Sequence, residues 1–248
     1  MKKLLLIFLL VCSPVFAGVD FDGADDYVVG TDSFYSDAIT VCAWVNPDVL
    51  DTNNRSIVFK RNGTDANQNA NEWQLHATST GTGFAAWQTG GSIAPCNPSG
   101  AAISTSSWSH VCATSEGNGG NCYVFVNGVA GAADAVGAAT QDTTSTIQVG
   151  TRNANNDARY WNGRITEVAI WNARLTDDEI INLASSRMKR MPLQIKKDNL
   201  KIYLPMDHYA DLDIVAEDTF YDLSGNGNNF TGKTPDINAV AEEALTYP

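Results

Sequence analysis

The side chains that most often carry enzyme chemistry are sparse in this 248-residue sequence. The three histidines are His76, His110 and His208, and the chain has no G-x-S-x-G, P-loop or H-E-x-x-H motif. Glycoside hydrolysis needs a pair of carboxylates with separate roles. In the segment RITEVAIW at residues 164–171, Glu167 stands alone, with Ala169 and Trp171 at the alternate positions. The sequence therefore predicts a protein that is not an enzyme, with glycoside hydrolase as the least favoured function.

A group of aspartates near the start of the chain is the main candidate for binding a metal ion. The candidate ligands are Asp22, Asp25 and Asp26, with Asp20 close by. Clustered carboxylates are the hard oxygen ligands that calcium prefers. The same residues also fit a tight Asp-Gly turn inside a β-hairpin. Both interpretations stay open, and calcium is the one cofactor that the sequence suggests.

The cysteines indicate an oxidising compartment. The first 17 residues have the pattern of a secretory signal, with Lys2 and Lys3, an apolar run and a small-residue cleavage site near Ala17. Cleavage would leave four cysteines, an even number that predicts two disulfides with three possible connectivities. Zinc is disfavoured because no C-x-x-C spacing occurs. The four are Cys42, Cys96, Cys112 and Cys122.

The acidic composition of the chain restricts the classes of partner that it can bind. The formal net charge is −12, and no basic stripe interrupts it, so nucleic acid and anionic lipid are excluded as partners. The apolar run of the signal is too short to cross a bilayer, and we predict no transmembrane segment. The predicted location is secreted, periplasmic or on the cell surface. Lipidation of Cys12 is a less favoured alternative, because Val11 precedes it where a small residue is expected.

The elements that must position these residues are mostly strands. Residues 108–115 alternate with a period of two, EGNGGN at 116–121 supplies a turn, and CYVFV at 122–126 predicts the partner strand. Asn127-Gly128 predicts a further turn and a third strand. In contrast, Thr176 and Glu179 form a capping box that begins a short helix near residues 177–188. The fold class is therefore all-β with one helix.

Three strand predictions specify faces or boundaries. In residues 39–46, Cys42 and Trp44 should share one face and the other face should hold Ile39, Val41, Ala43 and Val45, with both faces buried. In residues 164–171, Ile165, Glu167, Ala169 and Trp171 should share one face. Residues 90–107, which contain Cys96, are predicted to form a long loop.

Four segments resemble laminin G-like domains, which are jelly rolls of the concanavalin A-like group that also includes the pentraxins. They are VDFDGADDYVV at 19–29, ITVCAWVNP at 39–47, the W-x-H-V-x-x-T hairpin at 108–128 and NGRITEVAIWNARLTDDEII at 162–181. The resemblance implies two antiparallel sheets packed as a sandwich.

The domain boundaries also depend on this resemblance. Residues 199–207 and 221–232 resemble the segment that usually begins such domains, although here it comes last. We therefore predict one domain over residues 18–232, in which residues 199–232 pair with the N-terminal strand and complete the sheet. Residues 233–248 are predicted to be a C-terminal tail.

The pentraxin likeness has two further implications. It joins Cys42 to Cys112 and leaves Cys96 to pair with Cys122. It also places ligands at residues 70–72 and 152–157, but Ala70 and Arg152 stand where acidic residues are expected. A double calcium site is therefore disfavoured. The remaining candidates for a single ion or a sugar are Asn71, Glu72, Asn153 and Asp157.

Aromatic side chains offer stacking surfaces for sugar rings, the candidates being Trp87, Tyr123, Tyr160 and Trp161. The favoured function is thus a secreted, non-enzymatic recognition module that binds a glycan or an extracellular surface protein through rim loops. The alternative is a structural β-sandwich in a surface or virion assembly, with no small ligand.

Overall fold

The protein is a sandwich of two antiparallel sheets. The computed structural model describes residues 18–31, 34, 36–61, 71–89, 92–96, 99–117, 119–136, 146–152, 159–185, 191–207 and 219–233. The first sheet, sheet A, runs in the order β1-β13-β3-β8-β9-β10, with β14 also pairing β13 and β11 also pairing β9. Its strands are β1 (Val19–Asp22), β3 (Ile39–Pro47), β8 (Ser109–Ser115), β9 (Asn121–Val126), β10 (Val129–Ala130), β11 (Asp134–Ala135), β13 (Asn162–Trp171) and β14 (Leu200–Leu204).

The second sheet, sheet B, runs in the order β15-β16-β2-β12-β4-β5-β6-β7. Its strands are β2 (Tyr27–Thr31), β4 (Arg55–Arg61), β5 (Asn71–Thr78), β6 (Gly81–Thr89), β7 (Ser92–Cys96), β12 (Thr146–Val149), β15 (Thr219–Phe220) and β16 (Phe230–Lys233). The two sheets, with one α-helix among the described residues, confirm the predicted all-β jelly-roll class.

Strand β3 shows how the sequence builds this sandwich. Its residues Ile39, Val41, Ala43 and Val45 face sheet B and belong to the main core. Cys42 lies on the opposite face, in a second apolar cluster. Both faces of the strand are buried, as predicted, because sheet A is covered on both sides.

The second cluster lies between sheet A and the helix α1 (Asp177–Ser185), which contributes Ile180 and Leu183. The predicted capping box begins the helix: the Glu179 carboxylate accepts from the Thr176 amide at 2.7 Å, and Thr176 Oγ1 accepts from the Glu179 amide at 3.3 Å. Ile181 is 45% exposed and lies outside the cluster. Two 3-10 turns follow at Met191–Gln194 and Lys197–Asn199. No helix in the described ranges is long and apolar enough to cross a membrane.

The central hairpin and one disulfide follow the predictions. Strands β8 and β9 pair directly, and the turn between them is closed by Glu116, whose amide donates to the Asn121 carbonyl at 2.9 Å. Cys42 lies directly opposite Cys112 across β3 and β8, and the two form the predicted disulfide. Cys122 is buried and disulfide-bonded. The side chain of Cys96 lies outside the described residues, so its pairing with Cys122 stays a prediction.

The hairpin interpretation of residues 19–29 is wrong. Strand β1 pairs with β13 in sheet A, whereas β2 pairs with β12 and β16 in sheet B. The Asp-Gly turn therefore carries the chain from one sheet to the other. Gly23 adopts φ +80°, and a side chain there would also collide with Asn162.

The predicted alternation along β13 is also wrong at its middle. Glu167 has φ +53°, and the pairing of β13 with β3 shifts register between Thr166 and Ala169. This bulge turns the strand, so Ile165 joins Val168 and Ile170 in the main core, while Ala169 and Trp171 lie in the second cluster. Strict alternation along the strand had predicted that Ile165 and Ala169 share one face.

Two segments differ from the predicted boundaries or pairings. The predicted loop at residues 90–107 contains strand β7, which pairs with β6. In the C-terminal third, β14 pairs with β13 and not with the N-terminal strand. Strand β16 pairs with β2, and Lys233 lies opposite Tyr27 in this pair. The domain boundaries at 18 and 232 remain a prediction, and residues 1–17 and 234–248 lie outside the described part of the chain.

Candidate functional site

The outer face of sheet B carries a row of polar side chains across adjacent strands. Phe59 in β4 lies directly between Gln148 of β12 and Gln74 of β5. The neighbouring row, Val149–Val58–Leu75, points inward into the main core. Because side chains alternate across a strand, Gln148, Phe59 and Gln74 must point away from the core.

A second row lies beside the first. His76 of β5 faces Ser56 of β4 on one side and Gly83 of β6 on the other. Ile57 is an extra residue in β4 at this point, which keeps Ser56 and Phe59 on the same outer face. A Cβ atom at position 83 would lie 2.6 Å from Nε2 of His76, so the missing side chain makes room for the imidazole ring. We call Ser56, Gln74, His76 and Gln148 the polar face.

Each member of the polar face is buried and carries a polar atom that lacks a hydrogen-bond partner among the described residues. The atoms are Ser56 Oγ, Gln74 Nε2, His76 Nδ1 and Gln148 Oε1. Buried polar atoms are almost always paired in folded proteins, since an unpaired one costs about 1–3 kcal/mol. Fifteen such atoms occur among the described residues, and four of them lie together on this outer face of sheet B.

Burial also determines the charge state of His76. Loss of solvent lowers the pKa of this imidazole to about 4, the charge of Arg159 acts in the same direction, and a hydrogen bond with the Gln74 backbone opposes both. His76 is consequently neutral at physiological pH. A neutral imidazole offers one donor and one acceptor.

A cavity of about 480 Å³ opens beside His76, where the β5–β6 turn meets the turn before β4. We call it the end pocket. Its lining is rich in hydroxyl groups and has no charged side chain. The lining residues are Thr52, Asn54, His76, Thr78, Ser79, Thr80, Gly81, Thr82, Gly83 and Ser99.

The predicted aspartate cluster does come together at the corner between β1 and β2. Carboxylate oxygens of Asp22, Asp25 and Asp26 lie within 4.8 Å of one another. Part of this geometry is a turn motif, because Asp22 Oδ1 accepts from the Ala24 amide at 2.7 Å and Asp26 Oδ2 accepts from the Asp22 amide at 3.0 Å. The donor set suits calcium, and its occupation by that ion stays a prediction.

The rim residues taken from the pentraxin likeness are less informative. Asn71 and Glu72 begin β5, and their side chains lie outside the described residues, as do Asn153 and Asp157 altogether. The structure therefore tests none of these four ligand predictions.

The aromatic candidates for stacking on sugar rings are mostly structural. Trp161 is fully buried in the main core and Tyr160 is 8% exposed. Tyr123 packs against the second cluster, and the Arg174 guanidinium lies 4.9 Å from its ring centre. The side chain of Trp87 is outside the described part. Of these four, the three described residues do not form an exposed stacking platform.

The groups considered for catalysis are also structural. Glu167 is buried at the β13 bulge, and Tyr203 Oη donates to its Oε2 at 2.7 Å. His110 lies 5.3 Å from the Trp44 ring, and burial lowers the pKa of His110 to about 3. Both side chains are thus held inside the sandwich by neighbouring aromatic residues.

Sequence reasoning missed the polar face as a site. Of its four members, the sequence singles out only His76, as one of the three histidines, and none of the four as a ligand. The available signal was a polar residue between apolar neighbours, as for Gln74 and His76 in WQLHA and Gln148 in TIQV, whereas Ser56 follows Arg55 and has no such signal. Their assembly into one surface depends on the order β12-β4-β5, which the local sequence does not encode.

Comparison with known proteins agrees with this architecture. A family model described as the concanavalin A-like lectin/glucanases superfamily matches residues 21–181. No curated protein matches the chain. The solved structures below are 16–18% identical to it, and likeness at this level is a likeness of fold.

Three of these structures cover most of the chain. A protein from Bacteroides ovatus described as a carbohydrate-binding protein is 16% identical with a TM-score of 0.62, covering 94% of this chain and 62% of its own. A heptameric pentraxin from Limulus polyphemus is 18% identical with a TM-score of 0.54, covering 68% and 82%. The CBM40 module of a Ruminococcus gnavus sialidase, bound to α2,3-sialyllactose, is 18% identical with a TM-score of 0.54, covering 68% and 97%.

Proposed function

Because this chain belongs to the concanavalin A-like lectin/glucanase superfamily, we propose that it is a secreted, non-enzymatic module that binds carbohydrate on the outer face of sheet B. The observation that carries the proposal is the polar face, with its four buried polar atoms that lack partners among the described residues. A saccharide supplies many hydroxyl groups that both donate and accept. Because the four atoms are buried, it pairs with them only when the side chains that cover this face move aside.

The fold relatives support a glycan over other ligands. The Bacteroides protein is described as carbohydrate-binding, and the Ruminococcus module holds sialyllactose. The net charge of −12 disfavours polyanionic partners. The Cys42–Cys112 disulfide fits an extracellular or periplasmic location, since such bonds persist in oxidising compartments.

Two features favour binding without catalysis. Glu167, the carboxylate considered as a hydrolase group, is buried and engaged by Tyr203, and its backbone amide donates to the Pro205 carbonyl at 3.0 Å. The polar face consists of amides, a hydroxyl and a neutral imidazole. It has no pair of carboxylates that could act as acid and nucleophile.

A glycan array, run with the purified secreted chain in the presence of calcium or of EDTA, tests the proposal. We expect binding to a defined set of glycans, and a loss of at least tenfold in affinity for Gln74→Ala and Gln148→Ala. Gln194→Ala is the matched control, because Gln194 is exposed on the 3-10 turn beside sheet A. An array without any signal under both conditions would overturn the proposal and favour the structural alternative.

The calcium prediction has a separate test. Ligands that bind only the folded state raise its stability. If Asp22, Asp25 and Asp26 bind calcium, millimolar CaCl₂ raises the Tm of the native chain but not that of Asp25→Asn. Equal Tm values with CaCl₂ and with EDTA would remove calcium from the function, while leaving glycan binding by the polar face unaffected.

A further inference from the structure

The end pocket has a ligand chemistry of its own, distinct from the flat part of the polar face. It lies where β5 ends at Thr78 and β6 begins at Gly81, so a tight turn forms one wall. The turn before β4 contributes Thr52 and Asn54, and Ser99 closes the lining through its bridge to Gly83. Three separate segments of chain therefore converge on one cavity.

The walls of this cavity are held in place before any ligand arrives. Thr78 Oγ1 donates to the Gly81 carbonyl at 3.2 Å and lies 3.1 Å from Thr80 Oγ1. Thr82 Oγ1 donates to the Ala101 carbonyl at 3.3 Å, and the Ser79 amide donates to the Asp51 carbonyl at 2.7 Å. A prearranged lining loses little conformational entropy on binding.

These hydrogen bonds also determine which donors and acceptors the pocket lining presents to a ligand. The Thr82 hydroxyl donates its proton to the Ala101 carbonyl, which leaves its oxygen as an acceptor. The Thr78 hydroxyl donates to the Gly81 carbonyl and already accepts from the Thr80 amide at 3.3 Å, so its oxygen has one remaining lone pair. His76 is 7% exposed, and its Nδ1 atom has no hydrogen-bond partner in the part of the chain that the structure describes. A ligand with several hydroxyl groups can donate to the threonine oxygens and bond the imidazole.

The charges around the pocket are already compensated or lie outside its lining. Asp51 and Arg55 form an ion pair at 2.8 Å in the adjoining turn. Although desolvation alone would raise the pKa of Asp51, hydrogen bonds from Arg55 and Asn53 outweigh it and lower that pKa. The charge of Arg159 acts on His76, but its side chain is not part of the lining. A ligand carboxylate would therefore meet no cationic group in the pocket wall.

We propose that the end pocket binds one uncharged sugar unit of the glycan, with His76 and the threonine hydroxyls as its hydrogen-bonding partners. The inference rests on the proposed glycan-binding function and specifies its ligand class. The cavity of about 480 Å³ falls in the ordinary range of roughly 300–1,000 Å³ for small-ligand sites. Neutral hydroxylated rings match its lining, whereas sialic and uronic acids bring a charge that it does not compensate.

Nuclear magnetic resonance titration of the full secreted chain tests this proposal. The neutral probes are the methyl glycosides of glucose, galactose, mannose and N-acetylglucosamine, and the anionic probes are N-acetylneuraminic acid and glucuronic acid. We expect at least one neutral probe to shift the imidazole resonances of His76, and neither anionic probe to do so. An anionic probe that binds as tightly as the best neutral one would overturn the proposal.

Three substitutions test whether the neutral probes bind in the end pocket. Ser79→Trp places a large side chain at the mouth of the pocket without removing a backbone hydrogen bond, and we expect it to weaken neutral-probe binding at least tenfold. Asn182→Trp is the control, because it adds the same exposed ring to α1 on the far side of sheet A. His76→Phe keeps a ring over Gly83 but removes both nitrogens, and it should weaken binding without lowering the Tm, because the buried Nδ1 that it removes has no partner among the described residues.

The outcomes separate this inference from the proposed function. Binding on the array that is lost in Gln74→Ala but unaffected by Ser79→Trp and His76→Phe would overturn the end pocket and leave the polar face standing. An array without any binding signal would overturn both the proposed glycan-binding function and the end-pocket proposal. Loss of neutral-probe binding in both Ser79→Trp and His76→Phe, with Asn182→Trp like the native chain, would support the pocket.

Discussion

Two buried histidines make the stability of this protein depend on pH in a window where most of its carboxylates do not titrate. Burial lowers the pKa of His110 to about 3 and, with the charge of Arg159, lowers that of His76 to about 4. Both have an ordinary value of 6.5. The unfolded chain therefore binds more protons than the folded chain between these values, and stability falls as the pH drops below about 6.5.

The size of the effect follows from the length of that window. A group that is neutral in the folded state and titrates at 6.5 in the unfolded state costs about 1.36 kcal/mol per pH unit below 6.5. Between pH 7 and pH 5, each histidine should remove about 2 kcal/mol, and the pair about 4 kcal/mol. This sum is a large fraction of the 5–15 kcal/mol that roughly spans ordinary domain stabilities.

Carboxylates whose pKa is lowered contribute at lower pH, whereas burial raises the pKa of Asp20, which favours the folded state as the pH falls. Despite the opposing effect of desolvation, hydrogen bonds from Thr176 and Lys196 lower the pKa of Glu179, and those from Arg55 and Asn53 lower that of Asp51. Their unfolded values are 4.5 and 3.8. The stability they provide is present above those values and is lost as the pH falls through the lower folded values.

Urea unfolding at pH 7, 6 and 5, followed by tryptophan fluorescence, measures the effect. The matched variants are His110→Phe and His76→Phe, each of which keeps a ring but cannot be protonated. We expect the loss between pH 7 and pH 5 to fall from about 4 kcal/mol in the native chain to about 2 kcal/mol in either variant. The reasoning is refuted if the native chain and His110→Phe show the same pH dependence.

Three other predictions follow from contacts described above. Replacing Cys42 and Cys112 together by alanine opens a span of 70 residues and should cost about 4 kcal/mol in urea unfolding, whereas a loss below 1 kcal/mol would contradict the chain-entropy estimate. Thr176→Ala removes one bond of the capping box and should cost about 1 kcal/mol, with the exposed Asn182→Ala as control. Glu167→Gln should leave glycan-array binding unchanged, and hydrolysis of a β-glucan that this substitution abolishes would show that the protein is an enzyme after all.

The predictable parts of the fold are those set by local chemistry or by a fixed pattern of residues. The Gly- and Asn-rich turn at 116–121 specifies the central hairpin, and Thr176 with Glu179 specifies the start of α1. The Cys42–Cys112 pairing followed from the likeness to pentraxins, and register confirms it, because the two residues lie directly opposite each other.

The predictions that were wrong concern features that depend on contacts between distant segments of the chain. Alternation alone could not place Ile165, because the bulge at Glu167 forms where β3 and β14 meet β13. The aspartate turn was interpreted as a hairpin because the sequence does not show that its two strands belong to different sheets. Trp161 was a candidate for stacking on sugars, yet it fills the core, since burial of a large aromatic is a property of the assembled sandwich.

The corner at residues 23–26 has a mechanical consequence for the whole molecule. Four residues separate a strand hydrogen-bonded into sheet A from one hydrogen-bonded into sheet B. Fully extended, the chain from Asp22 to Tyr27 spans about 17 Å, against about 10 Å between packed sheets, so the two layers can part by only several ångströms while both strands keep their bonds. Wide separation of the layers therefore requires β1 or β2 to leave its sheet, and amide protons of these two strands should share one opening free energy in hydrogen exchange.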